Sequence, residues 1–133
     1  MRFLTILVGL WVWAAPMQAQ DNPEIEDVIT QQLQAFVARD VDTAWGFASP
    51  MIQGMFGNSA RFGQMVEQGY PMVWDNRDVS FMDLEDAGPQ LIQRVFIRDA
   101  DGKGWVLSYA MIDTDAGWKI NGVSIVPAPD IAA

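Results

Sequence analysis

The chain has 133 residues, 50% of them apolar, with no cysteine or histidine, and its 8 basic against 17 acidic side chains give a net charge of −9. That is room for one domain, and it is too rich in core-forming side chains for a disordered tail. Without His or Cys there is no Ser-His-Asp or Cys-His nucleophile, no disulfide and no thiolate- or imidazole-held metal, and an acidic chain does not suit a nucleic-acid backbone, which needs clustered Lys and Arg.

Behind Met1 and Arg2, residues 3–15 carry no charge and are nearly all apolar, the pattern of a secretory signal peptide. As a helix this run spans about 20 Å, short of the roughly 30 Å hydrocarbon core, so a transmembrane segment is disfavoured. The cut is read after Ala19, with Met17 standing where a small residue is preferred, and no cysteine follows to carry a lipid anchor. Residues 1–19 are therefore expected to be a cleaved leader. Residues 20–133 are expected to be a single α+β domain, periplasmic or secreted, with no stable membrane span once the leader is gone.

Asp21, Asn22, Pro23 and Glu24 read as a helix start: an Asx cap, proline at the first helical position and an acid in the first turn. Counted from Ile25 at the helical period, Val28, Ile29, Leu33, Ala35 and Phe36 gather on one side, with Asp27, Thr30, Gln31 and Gln34 opposite. This amphipathic helix is predicted to end near Arg39. A second short helix runs from Asp42 through Trp45 and Phe47 to Ala48 and stops at Ser49-Pro50, because the residue before proline avoids the helical region. Residues 51–56 add a turn or two. Ser59 is placed as the cap of a further helix carrying Phe62, Met65 and Val66, ended by Gly69.

After Tyr70-Pro71 the pattern turns strand-like. Four β-rich segments, 79–85, 91–98, 105–112 and 118–126, are separated by the short connections Asp86-Ala87-Gly88-Pro89, Asp99-Ala100-Asp101-Gly102 and Thr114-Asp115-Ala116-Gly117, so they form hairpins of an antiparallel meander. The predicted architecture is α+β, with N-terminal helices packed on one face of a curved four-stranded antiparallel sheet. In the third strand Trp105, Leu107, Tyr109 and Met111 face the helices, and Val106, Ser108, Ala110 and Ile112 face away. The last strand places Val123 and Ile125 opposite Trp118 and Ile120. A second face this apolar is explained by a second copy covering it, a homodimer through the sheet face, or by a half-exposed sheet.

The segments ASPMIQGMFG (48–57), RFGQMVEQGYPMVW (61–74) and GWKINGV (117–123) resemble the bacterial family catalogued as domain of unknown function 4864. With the break Arg39-Asp40-Val41-Asp42 and the Trp45/Phe47 helix, the chain also resembles the nuclear transport factor 2-like superfamily of cone-shaped α+β domains. The resemblance implies the cone fold and no assigned activity. Superfamily relatives include ketosteroid isomerase-like enzymes, but none of their catalytic roles transfers residue by residue onto this chain.

The acid–base material is limited to carboxylates and the phenols of Tyr70 and Tyr109. Asp83 shares a predicted strand face with Val79 and Phe81, where apolar walls desolvate a carboxyl; its companion Glu85 lies nearer a turn, and a solvated strand end is the bland reading of both. Asp99-x-Asp101-Gly102 matches only the opening of a calcium loop and reads better as a hairpin turn. Met51 and Met55, four apart, share a helical face as a soft Cu(I) site requires, yet with no His or Cys beside them they read, like Met65, Met72, Met82 and Met111, as core packing or as part of an adaptable apolar pocket. No metal or cofactor is expected.

Residues 70–74, with Tyr70, Met72 and Trp74 between the last helix and the first strand, sit where a cone opens. Trp45, Phe62, Tyr109 and Asn121 join them, with Asp83, as candidates for a ligand pocket; a plug of core aromatics is the competing reading. The expected function is a non-enzymatic module binding a small apolar molecule or a protein partner. The alternative is an isomerase- or lyase-like enzyme using carboxylate and tyrosine in the cone.

Overall fold

The computed structural model describes residues 20–127, so the leader expected at residues 1–19 lies outside the described residues. Asn22 opens helix α1 (Pro23–Val37) by accepting from the Glu24 and Ile25 amides at 3.0 and 3.3 Å, with Pro23 in the first turn. Ile25, Ile29, Leu33, Ala35 and Phe36 are buried as the helical period requires. Arg39 then takes a positive φ of 60°, and its guanidinium donates to the Trp74 carbonyl at 2.8 Å and lies 4.3 Å from the Trp74 ring centroid. One side chain thereby fixes where α1 ends relative to the last helix.

Three helices follow. Asp40 caps α2 (Val41–Gly46), Ser49 caps α3 (Pro50–Phe56) and Asn58 caps α4 (Ser59–Gly69). Asp40 and Asn58 take the cap roles one or two residues before the predicted Asp42 and Ser59. Residues 71–74 are a further correction: Pro71–Trp74 is a one-turn helix, α5, begun by a proline in its first turn. Met51, Met55 and Met82 are exposed rather than core, because α3 buries none of its residues and Met82 turns outward at a bulge. Among the described residues, no helix is long and apolar enough to cross a membrane.

The four strands β1 (Arg77–Asp86), β2 (Leu91–Arg98), β3 (Gly104–Thr114) and β4 (Gly117–Val126) form one antiparallel meander in the order β1-β2-β3-β4. Val95, Ile97, Leu107, Tyr109 and Met111 point into the core against α1 and its neighbours, as the alternation predicts. At the turn before β3 the Asp99 carboxylate accepts from the amides of Asp101 and Lys103 and from the Trp105 indole, each at 2.9 Å. The Trp105 bond, foremost, holds that carboxyl below the usual range.

Irregular register separates the observed faces from the predicted ones. Phe81 pairs with Val95 and Leu84 with Gln93, so Met82 and Asp83 together oppose Arg94: a β-bulge with one extra residue on β1. Beyond it Leu84 enters the core, while Asp83 and Glu85 turn to the outer face and both pair with Arg94. The buried Gln93 amide donates to the Met82 carbonyl at 3.1 Å, satisfying a group that the bulge leaves out of the ladder. β1 carries another such shift nearer its start, between Arg77 and Ser80, and a further bulge lies on β4, where Ala110 pairs with Gly122 and Met111 with Ile120, leaving Asn121 as the extra residue. It places Val123, opposite Tyr109, on the same inward face as Ile120, so Val123 and Ile125 do not belong to the outer face. A one-residue slip inverts every side chain beyond it.

The β4 bulge also anchors the helical layer. Ser49, fully buried, donates from Oγ to Asn121 Oδ1 at 2.7 Å, while its amide donates to the Ile120 carbonyl and the Ile120 amide to the Phe47 carbonyl, each at 2.8 Å. The same Oγ accepts from the Ile52 amide at 3.3 Å as the α3 cap. Ser49→Ala is expected to lower the unfolding free energy by about 1–2 kcal/mol, through the lost cap and an orphaned Asn121 carbonyl. Urea unfolding measures it, and an unchanged midpoint would refute the anchoring role.

Candidate functional site

Between the helices and the inward face of β3 and β4 lies a cavity of about 230 Å³. The elements set its walls: Gln32 and Phe36 from α1, Ile52, Met55 and Phe56 from α3, and Phe62, Met65 and Val66 from α4. Tyr70 and Val73 join this wall, and Tyr109, Ile120, Gly122 and Val123 form the sheet side. Phe62 is the hub of the aromatic wall, with ring centroids 5.8 Å from Phe36, 5.4 Å from Trp45 and 5.9 Å from Phe56, in the tilted and edge-on arrangements that aromatic quadrupoles favour.

Polar groups in this wall are few. Tyr70 Oη donates to the Val123 carbonyl at 3.0 Å, and Gln32, 3% exposed, donates from Nε2 to the Ala44 carbonyl at 3.1 Å. Tyr109 is different. It is 0% exposed, and its hydroxyl has no hydrogen-bond partner among the described residues. Burial pushes its phenol well above the usual range, and the neighbouring Tyr70 adds to the shift. Tyr109 therefore stays a neutral hydroxyl, able to donate one hydrogen bond, at any physiological pH.

Of the eight sequence-predicted pocket residues, Phe62, Tyr70 and Tyr109 line the cavity. Trp45 stands behind Phe62, and Trp74 behind Phe36 with centroids 6.1 Å apart, so both support the wall rather than form it. Met72 is buried in the core at 3% exposure, and Asn121 is engaged by Ser49 and by Gln90. Asp83 lies across the sheet, its carboxylate paired with Arg94. Sequence reasoning missed Gln32, although it falls only about 20° from Ile25 on the helical wheel, a polar residue in the middle of the apolar stripe. It also missed Ile52 and Phe56, which sit on a helix too short to show a period, while Met55 lines the cavity as the apolar-pocket reading of the methionines allows. Among the described residues, no group of three or more Asp, Glu, His or Cys is arranged to hold a metal ion.

Fold and site together define a small α+β domain with an apolar chamber between its helices and its sheet. The chain belongs to the family described as Domain of unknown function (DUF4864), which matches it over residues 18–133. No curated protein and no solved structure matches it.

Proposed function

We propose that this protein is an exported, nuclear transport factor 2-like module that binds a small, uncharged, apolar molecule in the chamber between its helices and its sheet. The observation that carries the reading is the cavity itself, walled by Phe, Ile, Val and Met side chains with no Lys, Arg, Asp or Glu among the described residues that line it. Concave apolar sites with a few polar groups are how small molecules are held. Drug-sized ligands need about 300 Å³ or more, whereas an engineered cavity of about 150 Å³ accommodates benzene; a volume between these suits one ring with a short substituent. An acid–base isomerase has less behind it, since the carboxylate proposed as its base, Asp83, is on the far side of the sheet in an ion pair. A homodimer through the outer sheet face also has less behind it, because Val123 and Ile125 have left that face and Arg94 crosses it with Asp83 and Glu85.

Native mass spectrometry of the protein isolated from the periplasm tests the reading. The expected mass is that of residues 20–133 carrying one small adduct lost on denaturation, and the adduct should be absent from Val123→Phe, whose added ring enters the chamber. A bare wild-type mass that takes up no single-ring apolar probe would refute binding. A mass retaining residues 1–19 would refute the cleaved leader.

A further inference from the structure

The chamber contains one group that its own walls leave unfinished. Tyr109 projects from the centre of the sheet, on β3, and its Oη is buried without a partner among the described residues. Nearly all buried polar groups in folded proteins are paired, so an orphaned hydroxyl on a residue that lines a cavity calls for a partner from outside the described residues. The walls restrict what that partner is. A phenol donates one hydrogen bond, so the partner presents an acceptor; with no cationic side chain among the described residues that line the chamber, a carboxylate or phosphate would be desolvated without compensation, so the acceptor is neutral. The other phenol of the wall, Tyr70, already donates to the Val123 carbonyl. Gln32 likewise directs its amide away, to the Ala44 carbonyl. Among the described residues, Tyr109 is therefore the buried donor with nothing to donate to.

Resting on the binding reading above, we infer that the ligand is a neutral compound with a single ring and a carbonyl-type oxygen, and that Tyr109 Oη donates a hydrogen bond to that oxygen. Tyr109 thus selects carbonyl compounds over hydrocarbons of the same shape. The discrimination is of the kind that a buried, otherwise unpaired donor supplies: a ligand lacking the acceptor leaves the hydroxyl desolvated and unpaired, while one that has it restores the bond.

The test uses two probes of equal shape and the same number of non-hydrogen atoms, acetophenone and α-methylstyrene, which differ by a carbonyl oxygen in place of a methylene. Dissociation constants are measured by protein-observed NMR titration for wild type and Tyr109→Phe. Because the hydrocarbon is favoured by partition from water, the informative quantity is the ratio of the two constants and how it changes between the proteins. Tyr109→Phe is expected to shift that ratio against acetophenone by about two- to tenfold, the equivalent of one neutral hydrogen bond. In wild type the infrared carbonyl band of bound acetophenone should lie at lower frequency than in the variant. If both probes bind and neither the ratio nor the band changes, the role of Tyr109 is refuted while the chamber remains a binding site. If neither probe binds wild type, the binding reading itself fails.

Discussion

Tyr109→Phe is expected to make the ligand-free protein more stable, by about 1–3 kcal/mol, while removing its preference for a carbonyl. A buried hydroxyl without a partner carries its desolvation cost in the folded state and is fully hydrated in the unfolded one, so deleting the oxygen recovers that difference. The ring keeps its shape and its place between Leu107 and Met111, so no packing is lost. For a domain of about this size each kcal/mol moves Tm by roughly 4 °C or more, well within the reach of calorimetry. A residue that weakens the fold yet is well placed for recognition is the usual sign of a site kept for function. A variant with lower Tm than wild type would show that the hydroxyl is satisfied by ordered water or by the chain, and the case for an external partner would fall with it.

The same substitution changes the alkaline limb of the stability curve. Burial raises the Tyr109 phenol above its unfolded value of about 10. Above that pH the unfolded chain has released the proton and the folded chain still holds it. The unfolded state then binds fewer protons, so wild-type stability falls with rising pH. Below about pH 10 the two states are equally protonated at this group, and it contributes no slope. Tyr109→Phe removes this source of decline, and Tyr70 is common to both proteins. The gap in Tm between variant and wild type should therefore widen as pH rises from 9 to 11. A constant gap would mean that Tyr109 ionises in the folded protein as readily as in the unfolded chain.

Much of the scaffold was legible because local chemistry and tertiary role agree there. Asn22-Pro23 opens α1, Asp and Gly mark the hairpins, and β2 occupies its predicted span, Leu91–Arg98. The site was less legible, and the reason lies in the sheet. A strand read at strict period two assigns Asp83 to the face of Phe81 and sets Val123 against Ile120; a single extra residue at each bulge inverts both assignments. Residues 82–83 carry no sign of a bulge, whereas Gly122 inside the last strand does, since a glycine in a strand interior often marks one; what neither pair supplies is the register at which the extra residue falls. Its correlates are remote: Gln93 donating to the Met82 carbonyl, and Ser49 donating to Asn121 from a loop 72 positions away. Tyr109 was legible because β3 has no bulge before it, so its alternation with Leu107 and Met111 holds in the fold. The aromatics were recognisable as a group, but the division between those that line the chamber and those that stand behind it depends on how α2, α3 and α4 pack.

That packing turns on Gly63, and Gly63→Ala is expected to destabilise the protein although the same exchange in an open helix would stabilise it. Gly63 is buried in α4 where the helix meets the start of α2, and a Cβ built there falls 2.6 Å from Val41 Cγ1 and 3.2 Å from Val41 Cβ. Replacing a mid-helix glycine by alanine gains roughly 1 kcal/mol in backbone entropy, but overpacking a β-branched neighbour costs about 1–3 kcal/mol. We expect a net loss of up to about 2 kcal/mol by urea unfolding, with Phe62, the preceding residue, displaced from its place between Phe36, Trp45 and Phe56 and the chamber reshaped accordingly. The sign should reverse once Val41 is shortened. In a Val41→Ala background the added methyl group has room, and Gly63→Ala should stabilise, a non-additivity that isolates the contact between the two residues. If Gly63→Ala lowers stability equally in both backgrounds, the close approach of α2 and α4 is not what requires glycine, and the wall that Phe62 forms must be set by other contacts.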